Sequence, residues 1–114
     1  MPESSSLGAV SWFVVSLRYV APLIAIDAAM RAHVAFLEKQ RKAGVFIAWG
    51  RKVPRTGGII LACGESRAAI EGLMNDDPFV ARRLAEIEVT EFLPKPAVVV
   101  EGVRRLLDAK RRES

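Results

Sequence analysis

Residues 27–49 read DAAMRAHVAFLEKQRKAG followed at once by VFIAW, an amphipathic helix running straight into an apolar strand. Ile26, Met30, Val34 and Leu37 recur at helical spacing and predict one buried stripe. His33, the single histidine, falls about 50° from the centre of that stripe, on its edge. Asp27 suits an N-cap or first-turn acid, with the helix starting there or a few residues earlier. Lys39, Arg41 and Lys42 suit the C-terminal turn, and Gly44 suits the residue just beyond it.

Upstream, residues 11–20, SWFVVSLRYV, are β-branched and aromatic and predict a strand. Trp12, Val14, Ser16 and Arg18 share one face; Phe13, Val15, Leu17 and Tyr19 share the other. Residues 1–10 are polar and Ser-rich, as a flexible terminus would be. Downstream, Gly50 closes the second strand and residues 51–57, RKVPRTG, form a loop. Residues 58–63, GIILAC, make a third strand, and the short polar link predicts an antiparallel hairpin. Ser66 caps a second helix with Ile70, Leu73 and Met74 on its apolar stripe. Pro78 stops that helix, because it lacks an N–H and pushes Asp77 to extended geometry. Asp77 can then cap a short new turn, with Pro78 first and Phe79, Val80 and Leu84 packing inward. Residues 86–93, EIEVTEFL, alternate as a fourth strand that Pro94 and Pro96 end. Residues 97–112 read as a helix, or as a strand extension followed by one. The divisions are therefore a terminus at 1–10, one folded domain at 11–96 and a basic, helical extension at 97–114.

The order strand, helix, strand, strand, helix, strand is the α+β, ferredoxin-like βαββαβ arrangement, a four-stranded antiparallel sheet with both helices on one face. The other face should then alternate with polar residues. Instead the first three strands carry large apolar side chains on both sides: Trp12 with Phe13, Phe46 with Ile47 and Trp49, Ile59 with Ile60. A second copy of the chain, packed sheet to sheet as a homodimer through this open face, is the economical cover.

Composition narrows the classes. A chain of 114 residues is one domain, and a 51% hydrophobic content with mean hydropathy +0.20 is high for a domain with so much surface. No apolar run reaches the roughly 18 residues of a membrane span. One cysteine, Cys63, precludes an internal disulfide, and one His with one Cys are too few soft ligands for a zinc site, so metal: none. The expected compartment is the cytoplasm. The net charge of +4 includes Arg104, Arg105, Lys110, Arg111 and Arg112 near the end of the chain. These lack interleaved aromatics or a docking motif, which argues for a solvated helix against a nucleic-acid partner. Gly57-Gly58 belong to no phosphate-binding pattern.

His33 amid its helix, Gly44, Gly50 after a strand, Gly57-Gly58 opening the next and Asp77-Pro78-Phe79 after the second helix form an ordered set. Over roughly residues 11–95 this set resembles the YciI-like proteins of the dimeric α+β barrel superfamily, which also includes muconolactone isomerase. The resemblance implies a small dimer acting on small ring compounds without a cofactor (cofactors: none), with isomerase or lyase chemistry of the dehydrohalogenase type. It implies His33 and Asp77 as the active-site pair. The tail beyond residue 97 is longer than the family core, and two further stretches depart from the family. Gly50-Arg51 stands where Gly-Pro is usual, and Val80, Ala81, Arg82 and Arg83 fill a segment that elsewhere reads DPF-x-x-x-G.

Chemically, His33 is the one side chain whose unperturbed pKa lies near neutrality, which suits a proton carrier. Asp77 could orient its imidazole, and Arg18 or Arg51 could anchor an anionic substrate. Tyr19 and Trp49 could line the pocket. The plainer reading makes His33 a half-buried helix residue, Asp77 a cap, the aromatics core or interface, and Cys63 a buried apolar residue. Three functions stay open: an acid–base enzyme, a metabolite-binding module on the same barrel, and an interaction protein working through its basic extension.

Overall fold

The computed structural model describes residues 11–113, with side chains described to residue 109. The expected flexible terminus at 1–10 and the basic side chains of Lys110, Arg111 and Arg112 lie outside the described residues. The strands are β1 (Ser11–Tyr19), β2 (Phe46–Arg51), β3 (Gly57–Gly64) and β4 (Ala85–Phe92). The helices are α1 (Leu23–Lys42), α2 (Arg67–Met74), the single turn α3 (Pro78–Ala81) and α4 (Pro96–Glu113). The sheet order is β2-β3-β1-β4 with every neighbouring pair antiparallel. This is the ferredoxin-like α+β arrangement that the order of elements predicted.

The two faces of β1 divide as expected. Phe13, Val15 and Leu17 are buried under the helices with Ile26, Leu37, Ile60, Phe79 and Val89. On the opposite face Trp12 and Val14 are half-buried and Arg18 is exposed. Trp12 meets Phe92 there edge to face at 6.1 Å, beside the half-buried Leu61. That face is therefore apolar at one end and charged at the other.

Helix α1 begins earlier than Asp27, at Leu23, and its N-cap is Pro22, which offers no side-chain cap. Asp27, a turn further in, is left exposed. The buried stripe also differs from the expected one. Ile26, Ala29, Phe36, Leu37 and Gln40 are buried and Met30 half-buried, whereas Val34 is exposed at 41%. Burial of Ala29, Phe36 and Gln40 rotates the stripe, so His33 lies within about 10° of its centre instead of on its edge. The helix ends on Gly44 at φ +84°, with Val45 N–H donating to the Gln40 carbonyl and Gly44 N–H to that of Arg41. That paired closure favours glycine at the left-handed position.

The same closure ends α3. Leu84 N–H donates to the Phe79 carbonyl at 2.8 Å and Arg83 N–H to that of Val80 at 3.0 Å. The left-handed residue here is Arg83, at φ +60°. Arg83 thus occupies the conformation for which glycine is suited, at the position where the resembling pattern carries glycine.

Ser66 caps α2 by accepting the Ala69 N–H at 3.0 Å. The C-terminal stretch resolves in favour of a helix, α4, whose Leu106 and Leu107 are 69% and 57% exposed. Among the described residues no helix is long and apolar enough to cross a membrane.

Candidate active site

A cavity of about 500 Å³ lies between α1 and the β2 side of the sheet, within the range for small-molecule sites. Its roof is Met30, His33, Val34 and Leu37 of α1. Its floor is Leu17 and Tyr19 of β1, Ile60 of β3 and Trp49 of β2, and Phe79 closes one wall. Arg51, Asp27 and Arg55 stand at the rim.

The floor depends on an irregularity that no periodicity reveals. The β2–β3 register shifts between Phe46 and Ala48, leaving Ile47 as an extra residue. Phe46 faces Ala62, then Trp49 faces Ile60 and Arg51 faces Gly58. Phe46, Trp49 and Arg51 therefore all share the helix-side face. A regular strand would have turned Trp49 and Arg51 to the opposite side from Phe46. The bulge re-aims both side chains at the cavity.

His33 is 12% exposed and Asp77 is fully buried. Nδ1 of His33 donates to Oδ1 of Asp77 at 2.8 Å. The same oxygen accepts the Phe79 N–H at 2.9 Å, as the N-cap of α3. The cap of α3 and the contact with His33 thus meet in one atom of Asp77. Asp77 Oδ2 is buried without a hydrogen-bond partner among the described residues. The imidazole is stacked on the Phe79 ring, centroids 3.9 Å apart and planes 7° off parallel. Tyr19 meets the Phe79 ring edge to face at 5.8 Å. With a carboxylate oxygen as its partner, Nδ1 is the donor of this contact, and the stack on Phe79 holds the ring in place.

The structure brings His33, Tyr19, Trp49 and Arg51 to one cavity, with Asp77 behind the histidine and outside the lining. Arg18 is not among them. Its alternate position on β1 turns it to the far face of the sheet, where it pairs with Glu86 of β4. Sequence reasoning missed Arg55. It lies in the β2–β3 loop and pairs with Asp27 of α1, a long-range meeting with no local signature. Asp27, by hydrogen bonding, holds the Arg55 guanidinium above its ordinary pKa, and Tyr19 adds a smaller push in the same direction. Cys63 lies outside the cavity; burial pushes its thiol up, and Sγ donates to the Gly44 carbonyl at 3.3 Å.

A family model of the YCII-related domain matches residues 13–93. The chain belongs to the YCII-related family. Among solved structures it is similar to the 5-chloro-2-hydroxyhydroquinone dehydrochlorinase of Burkholderia phenoliruptrix in complex with 2,5-dihydroxybenzoquinone. The TM-score is 0.65 at 18% identity, over 75% of this chain and 97% of that one. A comparison with curated proteins gives no match.

Proposed function

We propose that this chain is a small cofactor-independent isomerase or lyase acting on a small, anionic ring metabolite in the cavity under α1. His33 is the proton carrier and Asp77 its orienting carboxylate. The observation that carries the reading is the His33–Asp77 contact at 2.8 Å, with the imidazole at the cavity wall and the carboxylate behind it. In an elimination, Nε2 takes a proton from the ring compound, the freed electron pair moves into the ring, and a halide or similar group leaves with its bonding pair. In an isomerisation the same nitrogen returns the proton at another carbon. Trp49 and Tyr19 offer flat apolar surface to a ring, and Arg51 offers a guanidinium to an anionic substituent. A dehydrochlorinase among the similar structures favours the elimination.

The protein acts in the cytoplasm as a homodimer through the open sheet face. Trp12, Val14, Leu61 and Phe92 supply its apolar patch, and light scattering after gel filtration tests it. The exposed apolar side chains of α4 favour a second reading, an interaction module on the same fold.

The deciding experiment offers 5-chloro-2-hydroxyhydroquinone and a panel of small ring acids to the wild type and to His33→Ala. Binding by both with turnover (chloride release for the chlorinated probe) only in the wild type supports the enzyme reading. Equal turnover in both, or binding with no turnover in either, overturns it.

A further inference from the structure

The rim of the cavity has an uneven charge count. Besides His33, the charged side chains lining it are Arg51, Arg55 and Asp27, and the rest of the lining is apolar, aromatic or glycine. Arg55 is committed to Asp27, on the first turns of α1. Arg51 has no such partner among the described residues, and the bulge in β2 turns it to the cavity side. Two guanidiniums and one carboxylate leave a single uncompensated positive charge, on Arg51.

We propose that Asp27 is a specificity-determining residue: by occupying Arg55 it leaves one free guanidinium, so the cavity selects ring ligands with one negative charge over those with two. This rests on the reading above that the cavity holds a small anionic ring. A second anionic group on the ligand meets an Arg55 already satisfied, and it also meets the Asp27 carboxylate, which repels it. A single anionic group engages Arg51 and is spared that repulsion. Asp27 is exposed and caps nothing in α1, so its removal frees Arg55 without disturbing the core.

The test is calorimetric titration with benzoate, carrying one carboxylate, and isophthalate, carrying two on the same ring. Wild type, Asp27→Asn and the double variant Asp27→Asn with Arg55→Gln are compared. The wild type is expected to prefer benzoate. In Asp27→Asn the affinity ratio is expected to shift toward isophthalate by about tenfold, the scale of one charge-assisted hydrogen bond. The double variant should return most of that shift. An unchanged ratio in Asp27→Asn overturns the inference while the pocket reading stands. So does a shift that persists without Arg55. Absence of binding by either probe to all three proteins overturns the pocket reading, and this inference with it.

Discussion

Nδ1 of His33 and the N–H of Phe79 both donate to one oxygen, Oδ1 of Asp77, at 2.8 and 2.9 Å. One buried carboxylate therefore caps the α3 turn and accepts from the histidine on the neighbouring helix, the second contact being the one the proposed function uses to set the tautomer. The two duties can be separated because they make different demands on residue 77. A cap needs a side-chain acceptor, which asparagine also supplies. Holding a proton on Nδ1 needs an acceptor that cannot turn into a donor.

Replacing Asp77 by Ala should cost about 2–3 kcal/mol in urea unfolding, roughly 1 from the lost cap and the rest from the unpaired imidazole. Asp77→Asn should cost about 1 kcal/mol, since the cap survives. The nitrogen chemical shifts of His33 then separate the duties. In the wild type Nδ1 should carry the pyrrole-type shift of the neutral ring, and in Asp77→Asn a mixture of tautomers should appear. A loss of about 1 kcal/mol in Asp77→Ala alone, with Asp77→Asn as stable as the wild type and the His33 shifts unchanged, would leave Asp77 as a cap alone.

Arg83 holds a left-handed conformation at φ +60°, which costs a residue with a Cβ about 1–2 kcal/mol relative to its preferred regions. Arg83→Gly removes that strain and gives back part of the gain in unfolded-chain entropy. The expected net effect is a stabilisation of about 0.5–1 kcal/mol, visible as a raised Tm. A lowered Tm would show that the Arg83 side chain contributes more than its backbone costs.

Two glycines make opposite predictions for one added methyl. A Cβ at Gly57 would sit 1.8 Å from the Leu17 carbonyl oxygen, whereas at Gly50 it would meet nothing within 4 Å. Gly57→Ala forces β3 away from β1 and should cost at least about 3 kcal/mol or prevent folding. Gly50→Ala should stay within about 0.5 kcal/mol of wild type. Chemical denaturation of the pair checks this, and similar midpoints would contradict the close β1–β3 approach.

The Cys63 thiol is held above its ordinary value of 9.0 by burial. Its folded form thus keeps a proton that the unfolded chain gives up. That contribution to stability is complete below pH 9.0 and is lost as the pH rises toward the folded value. Iodoacetamide at pH 8 should alkylate the native protein more slowly than the urea-unfolded chain, the thiolate being the reactive species. Equal rates would mean the thiol is not protected.

Much of the local structure was legible because short-range chemistry dictates it. Ser66, Asp77-Pro78 and Gly44 mark helix ends by capping, by a missing N–H and by tolerance of positive φ. The alternation in β1 separated its two faces correctly. The stripe of α1 was misjudged because it was centred toward Val34 and left out Ala29, Phe36 and Gln40. Ala29, Phe36 and Gln40 are buried, while Val34 stays exposed at the cavity. The start of α1 at Leu23 is the earlier of the two starts the sequence allowed, and its cap is Pro22 instead of Asp27.

Sequence by itself determined the order of the elements, the antiparallel α+β sheet and the conjunction of a lone histidine with Asp77-Pro78-Phe79. Each follows from periodicity, from turn chemistry or from residue type, all of which act within a few positions. Only the tertiary structure decided which side chains share the cavity. The one-residue shift after Phe46 reverses the facing of Trp49 and Arg51, and a bulge has no compositional mark. The Asp27–Arg55 pair joins a helix to a loop far along the chain. Arg18, chemically as suitable as Arg51, was removed from the site by the pleat of β1, because a sheet gives its alternate residues to opposite sides.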